Sequence, residues 1–344
     1  MIKQIFTIST AGTDPWRNIA LEEFLLLNVP EDSVILYLWR NHRTVVIGRN
    51  QNAWNECRVE RLEADGGKVA RRLSGGGAVF HDLGNVNFTF IARRADYSVE
   101  RQLSVLVEAV GRLGIDAVPS GRNDVTISGR KFSGNAFYQT GDNCYHHGTI
   151  LIRTDTEDLA RYLKAAPAKL AGKGIESVRS RVVNLSELDE TIDVERVREA
   201  MLAAFAEVYA VPCRELRPTD LHPDAEAMIE RRREFFASWD WRLGRSLPFD
   251  ISAERRFPWG GIKLQFQVER GRVEDAGVET DALQADFFAN LPEYFQGAHF
   301  TREEMLGALN RAIATETEGD AAVSTAPVAG LADDLRDFLT EEFF

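Results

Sequence analysis

The string that most narrows what this chain can fold into is Arg71-Arg72-Leu73-Ser74-Gly75-Gly76-Gly77-Ala78-Val79-Phe80-His81-Asp82. It sets a glycine triplet between two short β-type runs. Three residues without Cβ let backbone amides approach an anion closely, and Arg72 beside them offers a guanidinium fork suited to a phosphate or carboxylate. A Walker loop requires Gly-Lys-Ser/Thr and a dinucleotide fingerprint requires GxGxxG opening a helix, whereas these glycines join strand to strand. Taken alone, such a triplet is as readily an ordinary flexible turn as a binding loop. The double arginine before it and His81-Asp82 after it favour a site.

Length and composition set the class of chain. With 344 residues there is room for two domains, and 44% hydrophobic with 27% charged residues is the average of soluble globular chains rather than of disordered, collagen-like or heptad-repeat ones. The richest apolar stretches, Phe24–Leu27 and Val34–Trp39, are separated by Pro30, Glu31 and Asp32, well short of the roughly 20 apolar residues of a membrane span. Met1–Asp14 holds one Lys and no long apolar block, so neither a secretory nor a transit segment is expected, and the expected compartment is the cytoplasm. Cys57, Cys144 and Cys213 are odd in number and widely spaced, which excludes a disulfide framework and every CxxC metal pattern. The net charge of −12 repels nucleic acid and anionic membranes in bulk. Locally the balance reverses: Lys68–Arg94 carries five basic residues and one acid, whereas Thr301–Phe344 carries three basic and ten acidic. One surface can therefore receive an anion while the end of the chain is a solvated acidic face.

Asp14-Pro15 ahead of Ile19, Leu21, Phe24 and Leu25 predicts a helix with Asp14 as N-cap and Pro15 at its first position, Glu22 and Glu23 lying toward solvent. Val34–Trp39 and Thr44–Gly48 flank the turn-prone Arg40–Arg43 and read as a hairpin. Trp54–Asp65 reads as a helix ending in Gly66-Gly67, followed by a strand to Arg71 and strands at Ala78–His81 and Val86–Ile91. Val99–Leu113 reads as a helix stopped by Gly114. Asp124–Ser128 and Lys131–Tyr138 form a second hairpin about Gly129-Arg130, with a further strand at Tyr145–Ile152. The pattern then turns helical at Thr156–Ala165 and Val194–Tyr209. Between these lies Pro167–Val183, rich in Lys, Arg, Gly and Ser, a long loop of the kind more often functional or mobile than idle. Asp224–Phe236 reads as a helix and Leu243–Pro258 as a linker. Strands at Ile262–Glu269 and Arg272–Thr280 follow, then helices near Ala282–Ala289, Thr301–Ala314 and Leu331–Glu342. The expected class is α+β, with a large domain over residues 1–245 and a small one over residues 246–344.

A second string, Ser120-Gly121-Arg122-Asn123-Asp124 and then Ser128-Gly129-Arg130-Lys131-Phe132-Ser133-Gly134-Asn135-Ala136, also bears on chemistry. Strand alternation places Lys131, Ser133 and Asn135 on one face and Phe132 on the other. A lysine pointing inward beside small polar residues can neutralise a carboxylate and a phosphate together, although most lysines in such turns are exposed edge residues. Asp124 suits either Mg²⁺ or a strand end, and alone favours the latter. His146-His147 before Gly148-Thr149 is too short for a metal site without further ligands, since neighbours in a strand face opposite ways; one of them is a candidate to line a pocket.

These three strings together resemble the lipoate-protein ligase family, in the wider biotin and lipoate ligase fold, over nearly the whole length. Arg71–Asp82 with Leu83-Gly84-Asn85 is similar to its RRxSGGGxVxHDxGN signature, Lys131–Ala136 to its lysine motif and His146–Thr149 to its HHGT segment. Leu38-Trp39-Arg40 and Val45–Arg49 are similar to its early strands, Ser177–Asn184 to its adenylate-binding loop, and Phe257-Pro258-Trp259-Gly260-Gly261 to the accessory domain of two-domain members. The resemblance implies a large mixed-sheet catalytic domain, a small accessory domain and two-step acyl transfer. Lipoate's carboxylate attacks the α-phosphorus of ATP to give lipoyl-AMP and pyrophosphate. A lysine amine of an apo lipoyl domain, on a 2-oxoacid dehydrogenase E2 subunit or a glycine cleavage H protein, then takes the acyl group. It implies Lys131 as the catalytic residue, with Arg72, Asn123 and the amides of Gly75, Gly76, Gly77, Ala78, Val79 and Phe80 on ATP and lipoyl-AMP. Arg72, Ser74, His81, Lys131, Ser133 and His147 are implied for lipoate, and Asp124 for Mg²⁺. A monomer is expected, with octanoate a possible second substrate.

The enzymatic rival is an octanoyl or lipoyl transferase of the same fold, which works through a cysteine nucleophile. None of Cys57, Cys144 or Cys213 lies beside the Lys131 string. Biotin ligation is disfavoured by the resemblance at His81-Asp82 and His146-His147. A non-enzymatic anion sensor is the other alternative, and the lack of a basic DNA-reading helix makes a transcriptional role the weakest of the readings.

Overall fold

β-Branched and aromatic runs build a central sheet in the computed structural model, which describes residues 2–120, 124–164, 182–243, 251–269, 271–318 and 328–344. The strands of the first unit are β1 (Gln4–Ser9), β2 (Ser33–Trp39), β3 (Thr44–Ile47), β4 (Lys68–Arg71), β5 (Val79–His81), β6 (Asn85–Arg93), β7 (Val118–Ser120), β8 (Asp124–Ile127), β9 (Arg130–Thr140), β10 (Asn143–Leu151) and β11 (Cys213–Glu215). Eight of them form one sheet in the order β11-β1-β2-β6-β10-β9-β8-β7, parallel at β11-β1-β2 and antiparallel beyond. A second sheet, β4-β3-β5, holds the glycine triplet between its outer strands. This is the mixed α+β architecture expected. Among the described residues no helix is long and apolar enough to cross a membrane.

Two expectations about local pairing fail for the same reason. Val34–Trp39 and Thr44–Gly48 are not a hairpin: β2 is flanked by β1 and β6, while β3 pairs with β4 and β5 in the other sheet. All seven residues of β2 are buried. Such a continuous apolar run marks a central strand covered on both faces, so neither edge is left for its neighbour in sequence. The turn between them is anchored inward, Asn18 Nδ2 donating to Arg40 O and to Asn41 Oδ1. Likewise Trp54–Asp65 is two short helices, Ala53–Glu56 and Val59–Ala64, broken where Cys57 bridges to Leu163.

Helices cover both faces of the large sheet. Val99–Gly111 and Val194–Tyr209 pack over Phe88, Phe90 and Val34, and Pro15–Leu27 and Ala225–Ala237 over Tyr37, Ile91 and Tyr145. Asp14 stands at the N-cap position as expected, yet its carboxylate accepts from Arg233 and Lys68 rather than from its own helix.

The second unit is an antiparallel sheet of β12 (Ile251–Phe257), β13 (Gly260–Glu269) and β14 (Arg272–Thr280) under helices Ala285–Phe295, Arg302–Glu318 and Val328–Phe343, with a core of its own. β12 falls in the stretch read as linker. Its inward positions include Arg255, whose guanidinium lies over Phe257 and Phe338 and pairs with Glu341, so a charged residue occupies a place in the apolar alternation and hides the strand.

Arg71 ties the small sheet to its surroundings. It is 1% exposed, and its guanidinium donates to the carbonyls of Gly48, Arg49, Gln51, Trp241 and Arg242 at 2.5–3.2 Å. Removing it would strand several buried acceptors, each costing about 1–3 kcal/mol. Arg71→Met is therefore expected to lower stability by at least about 3 kcal/mol, against less than about 1 kcal/mol for Arg17→Met in an exposed pair. Urea denaturation of both variants checks this, and equal losses would contradict it.

Candidate active site

The glycine loop is shaped from within by Arg72. Its guanidinium is enclosed and donates to Ser74 Oγ at 3.1 Å, Gly75 O at 2.7 Å, Val46 O at 3.1 Å and Gly77 O at 2.8 Å. Burial, partly offset by Tyr145, Glu22 and Glu56, brings its pKa down to about 10, so it remains a cation at neutral pH. The guanidinium expected to fork toward a phosphate is here bound to oxygens of the loop that follows it and to Val46 O of β3. In a trans peptide the carbonyl and the following amide point opposite ways. With Gly75 O and Gly77 O turned toward Arg72, the amides of Gly76 and Ala78 face away from it. The Gly76 amide meets Ala282 O of the second unit at 3.0 Å. Gly76 has φ +91°, a conformation that glycine tolerates and a side chain does not.

A buried chain of hydrogen bonds runs from this loop across the large sheet. Arg72 Nε can only donate, so Ser74 Oγ accepts there, and the same hydroxyl shares a 2.7 Å hydrogen bond with His147 Nε2. His147 Nδ1 then donates to Glu22 Oε1 at 2.8 Å, an oxygen that also accepts from Thr89 Oγ1 at 2.6 Å, while Trp39 Nε1 donates to Thr89 Oγ1 at 3.1 Å. Glu22 is 1% exposed, which corrects its expected solvent position. The signal was in the spacing, since Glu22 lies three residues from both Ile19 and Leu25 on the apolar stripe of its helix. Glu23 is also largely covered and pairs with Arg232.

His81 is buried, with Asn41 donating to Nδ1 at 3.2 Å and Trp39 edge-on to its ring. Desolvation, helped by the charges of Arg72 and His147, pushes its pKa down to about 3. His146 lies on the other face of the sheet, between Gln102 and Asn135, and desolvation pushes it down to about 3 as well.

The lysine string folds differently from simple alternation. β8 and β9 pair Asp124 with Gly134 and Val125 with Ser133, but then Thr126 with Lys131, leaving Phe132 as a bulge. The extra residue reverses the parity. Lys131 joins Asp124 and Gly134 on the face that carries Thr149 and His147, whereas Ser133 and Asn135 turn to the opposite face; Ser133 is fully buried there. Ser133 is thereby separated from the lysine with which it was grouped. Lys131 Nζ pairs with Asp124 Oδ1 at 2.6 Å, the two side chains 34% and 37% exposed.

The structure thus brings together Arg72, Ser74, His147 and the glycine loop, with His81 near them and Lys131 and Asp124 on the face shared with His147. Val79 and Phe80 lie in β5, Phe80 buried against Tyr162. Asn123, and the predicted loop from Pro167 up to residue 181, lie outside the described residues. Among the described residues no group of three or more His, Cys, Asp or Glu is placed to hold a metal.

The family described as the lipoyl protein ligase A/B catalytic domain matches residues 14–206, and that described as the bacterial lipoate protein ligase C-terminus matches residues 246–325. The lipoate-protein ligase A of Psychrobacter cryohalolentis is 40% identical over 315 residues, 89% of this chain and 92% of its own length. The crystal structure of P. falciparum LipL1 in complex with lipoate aligns with a TM-score of 0.81 at 27% identity, covering 98% of this chain and 100% of its own. A structure from a study of a bipartite lipoate protein ligase and its E2 lipoyl domain from Thermoplasma acidophilum aligns at a TM-score of 0.63 and 26% identity, covering 73% of this chain and 100% of its own.

The depressed histidines make a prediction about stability. Between about pH 3, where His81 and His146 titrate in the fold, and pH 6.5, their ordinary value, the unfolded chain binds more protons than the folded one. Stability is therefore fully present above pH 6.5 and is lost as pH falls through that window. His146→Gln is expected to reduce the slope of unfolding free energy against pH by roughly one proton there. Urea denaturation at a series of pH values checks it, and an unchanged slope would show that His146 is charged in the native state.

Proposed function

This chain belongs to the lipoate-protein ligase family and is a ligase, and we propose that it works through lipoyl-AMP made from lipoate and ATP, passing the acyl group to a lysine amine of an apo lipoyl domain. The observation that carries this reading is the placement of a cationic amine, Lys131, on the sheet face that leads through His147 and Ser74 to the glycine loop. The first step forces a carboxylate against a phosphate. Two like charges about 4 Å apart repel by about 4 kcal/mol near a protein surface, and a positioned cation with backbone donors offsets that without reorganising.

In this reading Lys131 holds the lipoate carboxylate and then the acyl phosphate. The amides of the Gly75–Phe80 loop that Ala282 O does not take, with Asn123, meet the nucleotide's phosphates. Arg72 keeps those amides outward and sets its own cationic charge beside the phosphates, and Ser74, His81 and His147 stand beside the acyl group. Residues 1–245 form the catalytic unit and residues 246–344 the accessory one. The acceptor amine attacks the acyl carbonyl, the bond to the phosphate oxygen breaks, and AMP leaves with the electron pair. Mg²⁺ fits as an ion carried by the nucleotide, because it commonly binds through one or two carboxylates plus substrate phosphates. Asp124, whose Oδ1 lies 2.6 Å from Lys131 Nζ, is the carboxylate that would hold that ion as the lysine turns to the substrate anions, and the ion would supply screening of the phosphate charge.

The cysteine-dependent transferase reading loses its nucleophile. Burial pushes the thiols of Cys57 and Cys144 up to about 12, and Cys213 sits on β11, at the edge of the sheet opposite the β8 end.

Intact mass spectrometry of an apo lipoyl domain incubated with this protein, lipoate and Mg²⁺ tests the function: a lipoyl-sized gain that requires ATP is expected, and a gain without ATP would overturn it. Lys131→Ala is expected to slow lipoyl-AMP formation by roughly 100-fold or more while changing stability by less than about 1 kcal/mol, since its ion pair is half-exposed. A variant that makes the adenylate at the parental rate would remove Lys131 from its role.

A further inference from the structure

Gly134 has no backbone reason to be glycine. It lies inside β9, paired with Asp124, and is not among the residues with positive φ. Nor does packing against the rest of the fold demand it among the described residues. A Cβ built at Gly134 would fall 2.6 Å from Lys131 Nζ and 2.7 Å from Lys131 Cε, and the next nearest atom, Thr149 Oγ1, is 4.0 Å away. Gly148 on the neighbouring strand shows the contrast: its Cβ would strike Gly134 O at 2.6 Å, Phe88 Cζ at 2.6 Å and Asn135 Oδ1 at 2.8 Å. Gly148 is small for the sake of the sheet and its core, whereas the space at Gly134 is filled by the far end of one lysine. That lysine doubles back along its own strand, across the bulge, to bring its amine within 2.6 Å of Asp124 Oδ1.

We propose that Gly134 is a positioning residue: its missing Cβ is the berth that holds the Lys131 amine at Asp124, above the sheet face where the two substrate anions meet. The proposal rests on the role given above to Lys131. Alanine at 134 suits a strand and meets only a flexible side-chain end, so the fold tolerates it and the amine is displaced. The lysine keeps its charge and loses its place. Asp124 holds the amine on the face where the substrate anions are to meet, which spares the long side chain a search at the moment of binding.

The test uses the full chain, as parent, Gly134→Ala and Asp124→Asn. Ligand-free protein is pulse-labelled with an amine-acetylating reagent, and Lys131 is read by peptide mass spectrometry against Lys263 as internal reference. Release from its ion pair is expected to speed acetylation of Lys131 about threefold in both variants, with Lys263 unchanged. In Gly134→Ala, lipoyl-AMP formation is expected to fall about 100-fold, with the thermal midpoint retained. If Lys131 in Gly134→Ala labels at the parental rate, the berth is overturned and any lost activity comes from the new methyl blocking substrate directly. Faster labelling with undiminished lipoyl-AMP formation overturns the positioning role. Should Gly134→Ala fail to fold, the fold itself needs that glycine, which also overturns the proposal; parental labelling in Asp124→Asn overturns the pairing of the amine at Asp124. A parent that forms no lipoyl-AMP strikes the functional reading instead, and the labelling result still decides whether the berth exists.

Discussion

A guanidinium taken out of water must be surrounded by acceptors, and the Arg72 side chain meets that demand with the very loop that follows it in sequence. The cost of enclosing a charge is several kcal/mol unless its donors are all matched. Here the acceptors are Val46 O, Ser74 Oγ, Gly75 O and Gly77 O. Satisfying the cation therefore dictates which way each peptide of the triplet turns. Ser74 passes the constraint on to His147 and Glu22, so that a buried carboxylate stands within the electrostatic reach of the buried cation and helps hold it charged. The loop, the β10 histidine and the first long helix are thus one hydrogen-bonded assembly whose parts come from three distant stretches of chain.

The second unit leans on the same loop. Ala282 O accepts from the Gly76 amide, Asn50 O accepts from the Thr280 amide, Asn50 Nδ2 donates to Ala285 O, and Arg49 pairs with Asp286. A Cβ at Gly75 would lie 2.1 Å from Ala282 O. The glycines of the triplet therefore serve separate ends: Gly75 admits the accessory unit, Gly76 adopts a left-handed turn, and at Gly77 the nearest atom to a built Cβ among the described residues, its chain neighbours aside, is 3.9 Å away. A motif that reads as one flexible, anion-binding unit is divided between an interface, a turn and an open side.

Much of this was legible in the sequence because it rests on local patterns. The helix from Pro15, the helix from Val99, the strands on either side of Gly129 and the joining of strand to strand by the triplet all follow from spacing, caps and turn residues within a few positions of one another. What escaped was set by partners far along the chain. Glu22 looked like a surface acid because nothing adjacent announces the imidazole that meets it from β10. Arg255 disguised β12 because Phe338 and Glu341, which receive it, come some eighty residues later. The hairpin expected between β2 and β3 failed because β6, more than forty residues on, already takes the edge of β2.

By itself the sequence determined the family, the α+β class and the residues to watch, since Arg72, the glycine triplet, Lys131 and His147 carry their chemistry in their identities and order. Only the tertiary structure decided which way those residues face. The bulge at Phe132 shifts the alternation by one and parts Lys131 from Ser133, and burial sets the Arg72 guanidinium on the oxygens of the loop that it frames. The physical reason is the same in both cases. A side chain's orientation depends on the register and enclosure imposed by segments remote in sequence, and a one-residue change in register moves a strand residue to the other side of the sheet.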